Sequence, residues 1–275
     1  MMLAARILWQ RNPPSFHSRG RTMMRLLRRT TLKCLFVALA SLSLPVFAQE
    51  TLRVVTEELP PFNMTINGQL TGLSTEIVQA VLEEAGQTAT IQSMPWARAY
   101  DIALNAENVL IYSITRTPER ENLFKWVDVI APSSWYLFTL DPALQLSSLE
   151  EARHYQIATV KDDAGEQYLR AHGFTVGKNL QSSNKYEHNY EKLQVGRVDL
   201  WIANELNALY LARQFGDDPS QTVHRALSLG TLGGSTGLSM AFSQKTPDAT
   251  VESFRAALQR LRDSGRYDAI ARKWL

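Results

Sequence analysis

Strand-like and helix-like patterns alternate along this chain, break off, and then alternate again, and that restart limits the folds open to it. The first round opens on a short apolar run over 51–56. In Glu57-Glu58-Leu59-Pro60-Pro61-Phe62, which follows, two prolines forbid regular structure, and Asn67-Gly68 marks a hairpin turn. Ile77, Val78, Val81 and Leu82 share one face of a helix over 73–85 that Gly86 can end. A strand over 89–93, a helix over 96–104 and a strand over 109–113 complete the round. Thr117 and Pro118 then read as the N-cap and first residue of a further helix. After Trp135-Tyr136-Leu137-Phe138 a second round begins. It has strands over 154–160, 175–176 and 198–203, and helices over 165–172, 190–195 and 205–215. A strand over 238–242 and helices over 249–264 and 267–274 close the chain. This predicts two α/β units with mostly parallel sheets and a ligand cleft at the carboxyl ends of the strands. The stretch SITRTPERE, 113–121, lies at such an end, as do Glu57-Glu58, Lys161-Asp162-Asp163 and Asn204-Glu205.

Residues 1–48 stand apart as a leader. Met24 opens a segment that reads as a secretory signal: Arg25, Arg28, Arg29 and Lys33 are basic, 34–44 is apolar, and Pro45-Val46-Phe47-Ala48 offers cleavage after Ala48. The apolar part is too short to span a bilayer. Arg28-Arg29 hints at twin-arginine export, although Thr31 stands where a large apolar residue is expected. Met24 also offers a second start, so 1–23 need not be translated.

Removing the leader changes two things. Cys34, the only cysteine, goes with it, which leaves no thiol for a disulfide or a nucleophile. The whole chain holds 29 Lys/Arg and 27 Asp/Glu; eight of the basic and none of the acidic residues lie in the leader, so the remainder carries 21 against 27, a net of −6. Such a balance gives a nucleic-acid partner no electrostatic support. His154, His172, His188 and His224 are scattered and no metal-ligand spacing occurs, so neither a metal nor a cofactor is expected.

Four short segments stand out by their order and spacing: Pro60-Pro61-Phe62 with Gly72-Leu73, Thr115-Arg116-Thr117-Pro118-Glu119-Arg120, Gly196-Arg197-Val198-Asp199, and Ser264-Gly265-Arg266-Tyr267 with Lys273-Trp274. Together they resemble the periplasmic solute-binding proteins of the amino-acid-binding type, family 3. The resemblance covers nearly all of 51–274. It implies the two-lobed α/β fold of type II periplasmic binding proteins, with two hinge strands near 136–139 and 239–242. Lobe 1 would then take 49–137, lobe 2 would take 138–240, and 241–275 would return to lobe 1. It further implies a periplasmic, monomeric protein that captures a small polar carboxylate-bearing ligand, an amino acid or a derivative. That ligand would pass to the membrane permease of an ABC transporter. Two other roles stay open: a ligand-sensing partner of a membrane receptor, and a dehydratase-like enzyme in which Glu205, Asp163 or Glu58 would serve as general acid or base. No sequence pattern forces catalysis, so the chain is expected not to be an enzyme.

Carried over by motif, the carboxylate-binding arginine of this family falls on Arg120, with Ser113 and Thr115 as its hydroxyl and backbone partners. A guanidinium fork suits a carboxylate, and a helix beginning at Thr117 would add free amides and a positive dipole end. Trp96 falls at the apolar cover over the ligand. Two positions depart from the family pattern. Asn204 stands where an aspartate usually holds the ammonium group, and an amide brings no charge. Asp163 stands at a small hydroxyl position, where a carboxylate repels an anion and welcomes an ammonium. Glu58 shares strand parity with Thr56, which faces the cleft in the family, and would add negative charge there. The expected ligand therefore has an anionic part and a cationic or polar part, held differently from a standard amino acid.

Overall fold

A computed structural model describes residues 52–230, 232 and 237–275. The expected leader, with Cys34, lies outside these residues. The first strand, β1 (Arg53–Thr56), buries Val54, Val55 and Thr56. A hairpin of β2 (Met64–Ile66) and β3 (Gln69–Thr71) follows, turning at Asn67-Gly68. The helix α1 (Leu73–Glu84) starts where Gly72, at φ 115°, lies against the Phe62 carbonyl; a Cβ there would meet that oxygen at 2.5 Å. β4 (Ile91–Ser93), α2 (Trp96–Asn105), β5 (Val109–Thr115) and β6 (Phe124–Pro132) complete the first layer of secondary structure. In the second unit come β7 (Trp135–Thr139), β8 (Ile157–Val160), α3 (Ala164–Ala171), β9 (Leu180–Ser183), α4 (Tyr186–Gln194) and β10 (Leu200–Asn204). They are followed by α5 (Glu205–Gln214), a short α6 (Pro219–Thr222) and β11 (His224–Ser228). The chain ends with β12 (Gly237–Ser243), α7 (Asp248–Asp263) and α8 (Arg266–Trp274).

Two five-stranded sheets carry these elements, one per lobe, in the orders β4-β1-β5-β12-β6 and β11-β7-β10-β8-β9. The sheets are mixed, not mostly parallel. β1 pairs parallel with β4 and β5, but β12 runs antiparallel to β5 and β6. In the second lobe β8 is parallel to β9 and β10, while β7 is antiparallel to β10 and β11. The antiparallel strands are the ones that carry the chain from one lobe to the other. The crossings lie at Ser133-Ser134, between β6 and β7, and after Ser228, where β11 ends, and before Gly237, where β12 begins. They thus fall a few residues before the expected hinges, because Trp135–Thr139 is fully laddered into the second sheet and Gly237–Ser243 into the first. The lobe boundaries move with them.

Alternating side chains explain how the second sheet is covered on both faces. Leu137, Ile157, Leu200 and Ile202 pack into a cluster with Leu169 and Leu180. Phe138, Ala158, Trp201 and Ala203 point the other way and join a larger cluster with Tyr186 and Tyr190, continuous with the core of the first lobe. Within the first lobe α1 packs on α7 and α8, so the last helices of the chain return to its first lobe.

Three further expectations change. No helix begins at Thr117. Arg120 N–H donates to the Thr117 carbonyl at 3.0 Å and Leu123 N–H to the Arg120 carbonyl at 3.0 Å, which closes two tight turns. A single 3₁₀ turn over Glu121–Leu123 then runs straight into β6. With no α-helix there, the expected dipole end is lost as well. The segment 175–176 contributes only one bridge, Val176 to Leu180, and α4 begins one turn earlier than its predicted start at Tyr190.

Candidate functional site

The carboxyl ends of β1, β5, β8 and β10 face one another across the lobe boundary, and hydrogen bonds cross it at several points. Trp96, the first residue of α2, donates its indole N–H to the Asp162 carbonyl at 2.8 Å. Arg120 Nε donates to Gln167 Oε1 on α3 at 3.0 Å, and its Nη2 to the same Asp162 carbonyl at 3.3 Å. Asn207 of α5 donates to the Pro60 carbonyl at 2.7 Å. The Tyr186 hydroxyl, on the first turn of α4, lies 3.3 Å from Glu57 Oε1 and 3.5 Å from Asp163 Oδ2.

Arg120 is the centre of this arrangement. It is 1% exposed, and its third contact, Nη1 to the Thr115 carbonyl at 3.2 Å, also goes to a neutral acceptor. Its guanidinium carbon sits 4.8 Å from the Tyr100 ring centre and 5.2 Å from that of Trp96, two rings that stack on each other at 5.6 Å. Burial draws the guanidinium below its ordinary value, while Tyr100 and Asp163 hold it up. An arginine keeps its charge through such a shift. The site therefore presents a desolvated cation whose hydrogen-bond partners are all uncharged.

Left-handed backbone positions aim two of the groups around it. Asp162, at φ 57°, turns its carbonyl toward Trp96 and Arg120. Ser113, at φ 59°, is the extra residue where the β5–β12 register shifts, since Ile114 pairs with Ser239 and Tyr112 with Met240. That bulge sends the Ser113 hydroxyl to Asn63 Oδ1, and Asn63 Nδ2 in turn donates to the Glu57 carbonyl. Ser113 thus orients the backbone of Glu57.

Two buried carboxyl groups face each other from opposite lobes. Asp163 N-caps α3, with Oδ1 accepting from Glu166 N–H at 2.7 Å. Its other oxygen faces Tyr186. Burial pushes Asp163 up to about 7, with Glu166 adding to the rise and the Glu166 N–H, Arg120 and Tyr186 opposing it. Glu57 is 4% exposed; burial and then Asp163 hold its carboxyl well above the usual range, against Tyr186 and Arg120. The same burial, with both carboxyls nearby, keeps the Tyr186 phenol protonated.

Arg120, Trp96, Asp163 and the Thr115 carbonyl come together in the site, with Ser113 one bond removed. Glu58 and Asn204 do not join them. Glu58 accepts from Thr65 N–H and Oγ1, each at 2.8 Å, and from Ser93 Oγ at 2.7 Å, inside lobe 1. Past Thr56 the strand has ended, so two-residue parity no longer applies and Glu57 is the one turned inward. Asn204 spends its amide on the fold: Oδ1 caps α5 through Leu206 N–H at 3.0 Å, and Nδ2 reaches Ser133 Oγ at the crossing. Arg116 pairs with Glu121 and lies 5.3 Å from the Trp126 ring centre, at the surface. The sequence reading puts Glu57 at a strand end without naming it as a site residue, and it misses Tyr100, Gln167 and Tyr186. For Tyr186 a signal existed: Tyr186, Asn189, Tyr190 and Leu193 follow helical spacing and are all buried. Among the described residues, no group of three or more His, Cys, Asp or Glu is placed to hold a metal, and no helix is long and apolar enough to cross a membrane.

The chain matches the family described as Bacterial extracellular solute-binding proteins, family 3, over residues 52–275. No curated protein matches its sequence. Among solved structures, a histidine kinase sensor domain with similarity to periplasmic binding proteins is 20% identical at a TM-score of 0.71, covering 82% of this chain and 96% of its own. An ancestral arginine-binding protein bound to arginine is 21% identical at 0.70, covering 82% and 98%. The arginine-, lysine-, histidine-binding protein ArtJ from Geobacillus stearothermophilus is 17% identical at 0.67, covering 82% and 95%. At these identities the likeness is one of fold.

Proposed function

The chain belongs to the bacterial extracellular solute-binding proteins, family 3, and we propose that it captures a small polar solute bearing a carboxylate, an amino acid or a derivative of one. The observation that carries this reading is Arg120: a buried guanidinium at the lobe boundary, bonded to the neutral acceptors Gln167 Oε1, Thr115 O and Asp162 O. Charged acceptors form bonds to arginine roughly twice as strong as neutral ones do, so a solute carboxylate outcompetes them once the lobes part. Of the two facing carboxyls, Asp163 supplies the opposite charge for an ammonium or guanidinium group of the same solute. The solute is then passed from the periplasm to the permease of an ABC transporter. The cleft binds and does not catalyse: Tyr186 and the paired carboxyls form a clasp between lobes.

Calorimetry on the purified protein with amino acids, polyamines, dicarboxylates and sugars tests the solute class. Heat with an amine-bearing carboxylate is expected. Silence with every such compound, together with tight binding of a sugar or a simple dicarboxylate, overturns the reading. A sensing role is the second reading, motivated by the sensor domain among the similar structures. Adjacent reading frames separate the two: a permease and an ATPase mark transport, and a receptor kinase marks sensing.

A further inference from the structure

The Tyr186 hydroxyl faces two carboxyl groups at hydrogen-bond distance, 3.3 Å to Glu57 and 3.5 Å to Asp163. A phenol has one proton to donate, and an ionised carboxylate has none. Both contacts are therefore hydrogen bonds only if one of the two carboxyls brings a proton of its own. Asp163 is the better site for the negative charge. Its Oδ1 already accepts from Glu166 N–H at the head of the eight-residue α3, where the helix end favours an anion. For Glu57 the side-chain contact is Tyr186. The order that satisfies every atom has Glu57 O–H donating to the Tyr186 oxygen and Tyr186 O–H donating to Asp163 Oδ2.

Glu57 belongs to lobe 1, after β1, whereas Tyr186 and Asp163 belong to lobe 2, so the three meet only when the lobes touch. We propose that closure of the two lobes takes up one proton, held on Glu57 and hydrogen-bonded through Tyr186 to an ionised Asp163. This rests on the cleft being the binding site, and not on which solute fills it.

Every charged group around the pair bears on this. Arg120, from the turn after β5, opposes protonation of both carboxyls, and Tyr100 from α2 faces Arg120. Glu187 on α4 and Glu166 on α3 favour protonation, each acting on its nearer partner. Burial outweighs Arg120 at both carboxyls. When the lobes separate, Glu57 returns to water and loses the proton near neutral pH. Its value is raised in the closed form, so the closed state is favoured in acid and weakens as pH climbs through that raised value.

Small-angle scattering on the solute-free protein tests this. The wild type is expected to be shorter at about pH 5.5, where an ordinary glutamate has already lost its proton and one held up by burial retains it, than at about pH 8.5. Glu57→Gln, whose amide donates to Tyr186 without needing a proton, should stay short at both. Equal wild-type dimensions at the two pH values, or a variant that lengthens as the wild type does, overturns the proposal. Should the variant not fold, carboxyl carbon NMR of Glu57 in the wild type decides. A titration midpoint above the ordinary glutamate range supports the proposal, and an ordinary midpoint overturns it. No solute enters the test, so its outcome is separate from that of the calorimetry above.

Discussion

The indole N–H of Trp96 donates to the carbonyl of Asp162 across the lobe boundary at 2.8 Å. The same carbonyl accepts from Arg120, so a single left-handed residue of lobe 2 receives two donors of lobe 1. Trp96→Phe removes one of those bonds and keeps the aromatic ring over Arg120. The closed form should lose about 1 kcal/mol. Hydrogen exchange checks this as faster exchange of amides over 161–167, with amides of β1 and β5 unchanged.

Arg120→Lys keeps the charge and loses the fork. Solute affinity should fall by about 2–3 kcal/mol, near a hundredfold, because a point charge cannot make paired charge-assisted bonds. Arg116→Ala, three residues after the bulge at Ser113, should leave affinity within about twofold, since its exposed pair with Glu121 contributes little. Calorimetry on both variants with the same solute reads the contrast.

The Glu57–Asp163 pair makes thermal stability depend on pH. Burial holds both carboxyls above their ordinary values, Asp163 from 3.8 up to about 7, so the folded pair keeps a proton that the unfolded chain gives up. The stability this lends is complete in acid and is lost as pH rises toward about 7. The loss is up to about 4 kcal/mol by that shift. Melting curves between pH 4 and 8 should slope downward with pH over that range. Asp163→Asn keeps the cap on α3 and should flatten the slope.

Asn204→Ala should lower stability by about 1–2 kcal/mol through the lost cap on α5, and Asn204→Asp should recover most of it. Denaturant midpoints measure both. An aspartate that instead raised affinity for amine-bearing solutes would show that this position faces the ligand, contrary to its bonds to Leu206 and Ser133.

Gly72→Ala is the severe case outside the site. A Cβ at φ 115° would meet backbone atoms of Pro61 and Phe62 at 2.5–2.8 Å, and backbone cannot swing aside as a side chain can. A loss of more than about 3 kcal/mol is expected, with reduced soluble yield at growth temperature.

Local pattern in the chain determined a good part of this protein. The restart of strand and helix spacing foretold two α/β units. Apolar periodicity placed α1, α5 and α7 within a residue or two, because a helix that buries one face repeats that face every turn. The motif that resembles the family marked Arg120, and the apolar run over 109–113 put that motif at the end of a strand. What local pattern missed lies where partners are distant in sequence. β6 has no alternation of its own to announce it; its burial comes from pairing with β12, more than a hundred residues on. That pairing also cut short the helix expected at Thr117. Glu57 and Glu58 are neighbours with the same chemistry, and only the packing around them decides which is buried and which bonds to Thr65 and Ser93. Tyr186 reaches Glu57 over more than a hundred residues. A carboxyl's environment is set by what the rest of the chain brings against it, so the charge of this site belongs to the tertiary structure, while its arginine was legible in the sequence.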